Sequence, residues 1–172
     1  MKNCFKYSWR WQYYLKRPWR FFEDTWFNLK AGWQRATRGW ANRDVWSLNS
    51  YFLEILPDML KHLRENAYGY PGDDEFPTFE SWIAYLEEME THFRNANEEQ
   101  TVQVNEFEKE YMSYPTGFKK CENSCLLEYV NYAPEDLGEK WFAREMEINA
   151  WREEELKKGL EMFQKSFWAL WD

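Results

Sequence analysis

Residues 18–40 read Pro18-Trp19-Arg20-Phe21-Phe22-Glu23-Asp24-Thr25-Trp26-Phe27-Asn28-Leu29-Lys30-Ala31-Gly32-Trp33-Gln34-Arg35-Ala36-Thr37-Arg38-Gly39-Trp40. Trp19, Trp26, Trp33 and Trp40 stand seven residues apart, and Phe22, Leu29 and Ala36 each follow three residues after a Trp. Such an a/d repeat places one apolar stripe along a helix. It predicts an N-terminal helix with a stack of indoles along one face, forming an aromatic seam in the core. Pro18 suits the first helical turn, where its missing N–H is no loss. Gly39 suits the residue just past the end, in the left-handed conformation. Gly32 lies inside the helix, where it costs up to ~1 kcal/mol relative to Ala, and it leaves room for the close approach of another backbone or ring.

Outward from this stretch, helical signals recur. A second helix is predicted over about 45–67, with Trp46, Leu53, Leu56, Leu60 and Leu63 close to a heptad pattern. Pro57 should kink or divide it, because it removes a backbone hydrogen bond and crowds residue 53. A turn-rich loop follows at 68–74. Thr78 reads as an N-cap, with Glu80 in the first turn, and the third helix runs to about Asn95. A fourth segment over 99–113 carries a weaker pattern. Residues 114–134 read as a loop or insertion. The last helix covers about 135–171, with Leu156, Leu160, Phe163, Phe167 and Leu170 on one side, and Gly138 and Gly159 as places to bend or break. Residues 1–17 carry Trp9, Trp11 and Tyr13 at period two, the pattern of an extended aromatic and basic arm. The expected fold is all-α: a single domain spanning 1–172, an aromatic-rich bundle of four to five helices with a long C-terminal helix and antiparallel packing of the first two.

Composition narrows the class. Aromatics make up 21% of the 172 residues and charged residues 30%, a mix unlike a disordered polyampholyte. No apolar run approaches the ~18 residues of a membrane span. The N-terminus lacks the apolar h-region of a secretory signal, so the chain is expected in the cytosol. Cys4, Cys121 and Cys125 are an odd set in a long chain and read as reduced thiols. The formal net charge of −8 is unevenly spread. Residues 1–46 hold ten basic and three acidic residues, a net of +7, whereas the remainder holds 12 basic and 27 acidic, a net of −15. The basic segment reads either as a phosphate-seeking region or as a complement to the acidic remainder.

Motifs that name a chemistry are missing from the sequence. No Gly-rich phosphate loop and no Gly-x-Ser-x-Gly occurs, so an enzyme has no positive support. Cys121 and Cys125 could be joined only by Cys4, His62 or His92 at a zinc site, and no metal or cofactor is expected. Asp58 precedes His62 by four residues, as Glu88 precedes His92, and such pairs read as surface charge interactions. Met59 and Met89 stand where a di-iron bundle would require Glu.

Two regions remain as candidate sites. Arg35, Arg38, Arg43, Asp44 and Trp46 surround the end of the first helix and could hold a nucleotide or single strand by bidentate contacts and stacking. Their bland role is to neutralise the helix end, with Asp44 pairing to Arg38 or Arg43. The second region is acidic. Glu87, Glu88 and Glu90, together with Glu153, Glu154 and Glu155, could present carboxylates to a basic protein surface in place of phosphates.

Several stretches carry a resemblance: Trp33 to Trp40, Asp44-Val45-Trp46, Gly69-Tyr70-Pro71, Phe142-Ala143-Arg144-Glu145 and Ala169-Leu170-Trp171-Asp172. In them the chain resembles a group of small uncharacterised proteins encoded by bacteriophages of gut bacteria, over nearly its whole length apart from the cysteine-bearing loop. The resemblance brings no established activity. It implies a phage accessory protein in the cytoplasm of a bacterial host. With the acidic body, the expectation is a non-enzymatic binding or inhibitor protein acting on a host protein, such as one of defence. The alternatives are a nucleotide or nucleic-acid binder using the cluster at 35–46, and an assembly component that self-associates as a homo-oligomer through its Trp seam.

Overall fold

A computed structural model describes residues 18–120 and 127–171. The chain divides into two units, Met1–Phe52 and Leu53–Asp172. The division follows the charge: the first unit carries the +7 and the second the −15. The arm expected at 1–17 and the cysteine pair at 121 and 125 lie outside the described residues.

In the first unit, α1 spans Pro18–Arg38. It ends as the sequence predicts, with Gly39 at φ 82° and its N–H donating to the Arg35 carbonyl at 2.9 Å. Arg35 and Arg38 in the last turn oppose the partial negative charge there. The face that packs is not the expected one. Ala31 is the one buried residue of α1. The connection 39–47 folds back on the polar side of the helix, where the Asn42 N–H donates to Gln34 Oε1 (3.0 Å) and Arg43 Nη1 donates to Asn28 Oδ1 (3.0 Å). Asn28, Ala31 and Arg35 lie about 160° around the helix from the centre of the indole stripe at 3.6 residues per turn. Trp19, Phe22, Trp26, Leu29 and Trp33 are exposed, Trp26 and Trp33 at 71% and 72%. The indole seam is therefore a surface feature and not the core.

The core lies in the second unit. Helix α2, Leu48–Asn66, crosses the boundary between units. Pro57 does not divide it. A proline here has no N–H for the Leu53 carbonyl four residues back, and Asn97 Nδ2 donates to that carbonyl instead, at 3.1 Å. Helix α3, Phe79–Ala96, starts with a capping box in which Thr78 and Ser81 bond each other's backbone N–H. Its face at Trp82, Leu86, Met89 and Phe93 joins Leu60 and Phe76 in the buried cluster, with Leu53, Leu56, Leu63, Leu156 and Phe163 packed around it. Each such side chain contributes ~1.5–3 kcal/mol on full burial.

Residues 99–113 form only the one-turn helix α4, Glu108–Tyr111. Upstream of it, buried Asn105 donates through Nδ2 to the Trp141 carbonyl (3.0 Å) and to Glu145 Oε1 (2.8 Å). These polar anchors, together with Tyr111 stacked on Trp141 at 4.5 Å between ring centroids, hold the segment to the last helix. The expected loop at 114–134 contains an antiparallel pair, β1 Thr116–Lys120 and β2 Leu127–Asn131. Phe118 meets Tyr129 edge to face across the strands, and Lys119 stands opposite Glu128, pairs of the kind that stabilise a hairpin. Helix α5, Glu135–Ser166, runs unbroken through Gly138 and Gly159 and passes into a 3₁₀ turn at Phe167–Ala169. Its 32 residues span about 48 Å. Arg152 bonds the Ala96 carbonyl, Glu155 meets His92, and Tyr85 Oη donates to the Met162 carbonyl at 2.8 Å. Rising numbers on α5 meet falling ones on α3, so the two helices are antiparallel. The described chain is thus mostly helical, with a long C-terminal helix, aromatic clusters and one small hairpin.

Candidate functional site

The arginine cluster is built by the end of α1 and the connection after it. Asp44 is buried at 6% exposure. It accepts Arg35 Nε at 3.0 Å, a second bond from Arg35 Nη2, and the Ala41 N–H at 2.7 Å. Burial alone would raise its pKa, but the Arg35 guanidinium and the Ala41 N–H outweigh it and hold the carboxyl below its ordinary 3.8. The partner of Asp44 is therefore Arg35, not Arg38 or Arg43. Arg38 lies 3.9 Å above the Trp40 ring, donates through Nε to the Trp40 carbonyl at 3.0 Å, and bonds Asn42 through Nη2. Arg43 is held by Asn28. Trp46 is 93% exposed and stands outside this network. Bidentate pairing and stacking, the two features that suggested phosphate binding, are used here to fold the connection onto α1.

The acidic residues separate into two groups. Glu87, Glu88, Glu153 and Glu154 are exposed. Glu90 and Glu155 are buried, at 7% and 5%, and do not belong to an outward face. Glu90 accepts Arg94 Nε (2.8 Å) and Arg64 Nη2 (3.2 Å), and Arg94 reaches on to Asp58 (3.0 Å). Glu155 accepts His92 Nδ1 (2.9 Å) and Asn95 Nδ2 (2.8 Å) on one oxygen and Lys158 (3.2 Å) on the other. Burial would raise the Glu155 pKa, but these donors outweigh it and lower it from 4.5.

These networks replace the Asp58–His62 pair expected from the sequence, while the expected Glu88–His92 pair is present and is joined by a second partner. Asp58 pairs with Arg94, and His62 bonds Asn66. His92 is 3.8 Å from Glu88 and only 2.9 Å from Glu155, so it ties α3 to α5. Of the contacts that bury Glu90 and Glu155 or hold Asp58, those from Arg64, His92 and Arg94 to Asp58 join residues 26 or more positions apart. Nothing in the sequence pattern announces them.

An open groove of about 390 Å³ runs along one side of α2, lined by Ile55, Asp58, Met59, His62, Leu63 and Asn66. Among the described residues no cluster of three His, Cys, Asp or Glu could hold a metal ion, and no helix is long and apolar enough to cross a membrane. No family model, no curated protein and no solved structure matches the chain.

Proposed function

We propose that this chain is a non-enzymatic phage accessory protein that binds a basic surface of a bacterial host protein in the host cytoplasm, using the acidic face of its second unit. The observation that carries this reading is the concentration of charge, −15 against +7, on the two sides of the unit boundary. Exposed Glu87 and Glu88 on α3 and Glu153 and Glu154 on α5 supply carboxylates from adjacent antiparallel helices. A field of that sign speeds encounter with a cationic partner and falls steeply with salt. The resemblance of residues 33–40, 44–46, 69–71, 142–145 and 169–172 supports a phage origin, and a defence protein is the target class in keeping with it.

The test is capture of host proteins on the immobilised full chain at about 50 mM and 300 mM salt, a range over which screening shortens markedly. The quadruple variant E87Q/E88Q/E153Q/E154Q runs beside the parent. Specific capture that weakens with salt, and that the variant loses, supports the reading. Capture indifferent to both overturns it.

A further inference from the structure

The indole stripe of α1 is an apolar face whose helix already packs by its other side. We propose that it is the pairing surface for a second copy of this chain, with the two α1 helices antiparallel. This rests on α1 alone and is independent of the host partner proposed above.

Three observations choose a second copy as the occupant. The first is size. Trp19, Phe22, Trp26 and Trp33 are 58–72% exposed, and at roughly 200 Å² per aromatic side chain they offer on the order of 500 Å² per copy. Two copies would bury about 1,000 Å² before Leu29 and Trp40 are counted, the size at which specific interfaces begin.

The second is shape. The a/d repeat is self-complementary when one helix is reversed. With the two-fold axis between residues 27 and 28, Trp26 lies opposite Leu29 of the second copy, Trp33 opposite Phe22, and Trp19 opposite Ala36. Each large ring then meets a smaller side chain. Gly32, beside the stripe, has open space where a Cβ would stand, so a partner helix can come close there.

The third is charge. Glu23 and Lys30 are exposed residues on the same flank of the stripe, each directly after a d position. Reversing the partner brings like flanks together, so Glu23 of each copy faces Lys30 of the other. A parallel pair would instead set these residues against Pro18 and Thr25. The antiparallel register alone makes two complementary ion pairs.

The experiment is sedimentation equilibrium of the full chain between about 1 and 100 μM, with the variants Glu23→Lys and Lys30→Glu. Both positions are exposed, and circular dichroism checks that each variant keeps its helix content. The parent should sediment at twice the 21.3 kDa chain mass. Each single variant places two like-charge pairs in its own dimer, and its dissociation constant should rise about tenfold or more. In an equimolar mixture, the Glu23→Lys chain is basic at both positions and the Lys30→Glu chain is acidic at both. Each flank contact between the two variants then joins opposite charges, so the mixture should recover the dimer. A parent that stays monomeric at 100 μM overturns the proposal, whether the stripe is then covered by another part of the chain or by a host protein. A dimer indifferent to both variants, or a mixture that fails to recover, also overturns it.

Discussion

Asn97→Ala should destabilise the protein out of proportion to the exposed turn in which Asn97 sits, because its side chain completes a helix that Pro57 leaves short. Pro57 offers no N–H to the Leu53 carbonyl, and Asn97 Nδ2 supplies the missing donor at 3.1 Å. Removing it leaves a partly buried acceptor without a partner, at about 1–3 kcal/mol. The other bond of Asn97, Oδ1 accepting the Glu99 N–H at 2.9 Å, is exposed and replaceable by water, so it adds only a few tenths of a kcal/mol. The expected loss is about 2 kcal/mol, or roughly 4–8 °C in Tm for a chain of this length. Pro57→Ala supplies the discriminating background, since it restores a backbone N–H at residue 57 for the same carbonyl. There Asn97→Ala should cost under about 0.5 kcal/mol, giving a coupling energy of ~1–2 kcal/mol in the double-mutant cycle. Urea unfolding followed by far-ultraviolet circular dichroism measures all four corners. Equal costs of Asn97→Ala in the two backgrounds would refute the reasoning, for the carbonyl would then have had no need of Asn97.

Three further outcomes are expected. Gly159→Ala sets a Cβ 3.3 Å from two ring atoms of fully buried Phe93, so a packing cost of ~1–3 kcal/mol should cancel or exceed the ~1 kcal/mol gain in helix propensity; in a Phe93→Leu background the same change should turn stabilising, as urea midpoints will show. Thr78→Ala removes the capping box of α3 and should lower stability by about 1 kcal/mol, read as a fall in the urea midpoint with unchanged slope. Glu155 has a folded pKa below its unfolded 4.5, so its contribution is fully present well above pH 4.5 and fades as pH falls through the folded value; the stability gap between parent and Glu155→Gln should narrow on acidification from pH 6 to pH 3, and a gap that stays constant would contradict the assignment.

Local structure was legible where a backbone requirement is written into neighbouring residues. Pro18 and Gly39 mark the ends of α1, Thr78 marks the start of α3, and Leu156 and Phe163 mark the side of α5 that meets the core, whereas Leu160 and Phe167 of the same expected stripe are exposed. Gly159 was misleading because a helical glycine reads as a weak point; here it is the place where Phe93 needs the room. The hairpin was hidden because its strands are five residues each, too short for a period to stand out. Of the candidate site residues, the sequence showed which are charged but not which are spent. Glu87 and Glu90 look alike in sequence, yet Glu90 is buried and bonded to Arg64, which lies 26 positions away.

The largest divergence, the exposed indole stripe, has one physical origin. A heptad repeat states that a helix has an apolar side, and it is silent on whether the complement lies within the chain or in another one. What decides for α1 is the other side of the helix. Asn28, Gln34 and Arg35 carry hydrogen-bonding groups at the spacing that the connection 39–47 can reach, and Asp44 is drawn down onto Arg35 with its charge satisfied by three bonds. With the connection fixed there, the stripe lies on the opposite side of α1 from it. Abolishing the clamp with Asp44→Ala should therefore loosen the connection without altering the stripe, whereas Trp26→Ala should leave the clamp intact. If pairing of two copies is the role of the stripe, the first change will spare the dimer and the second will weaken it.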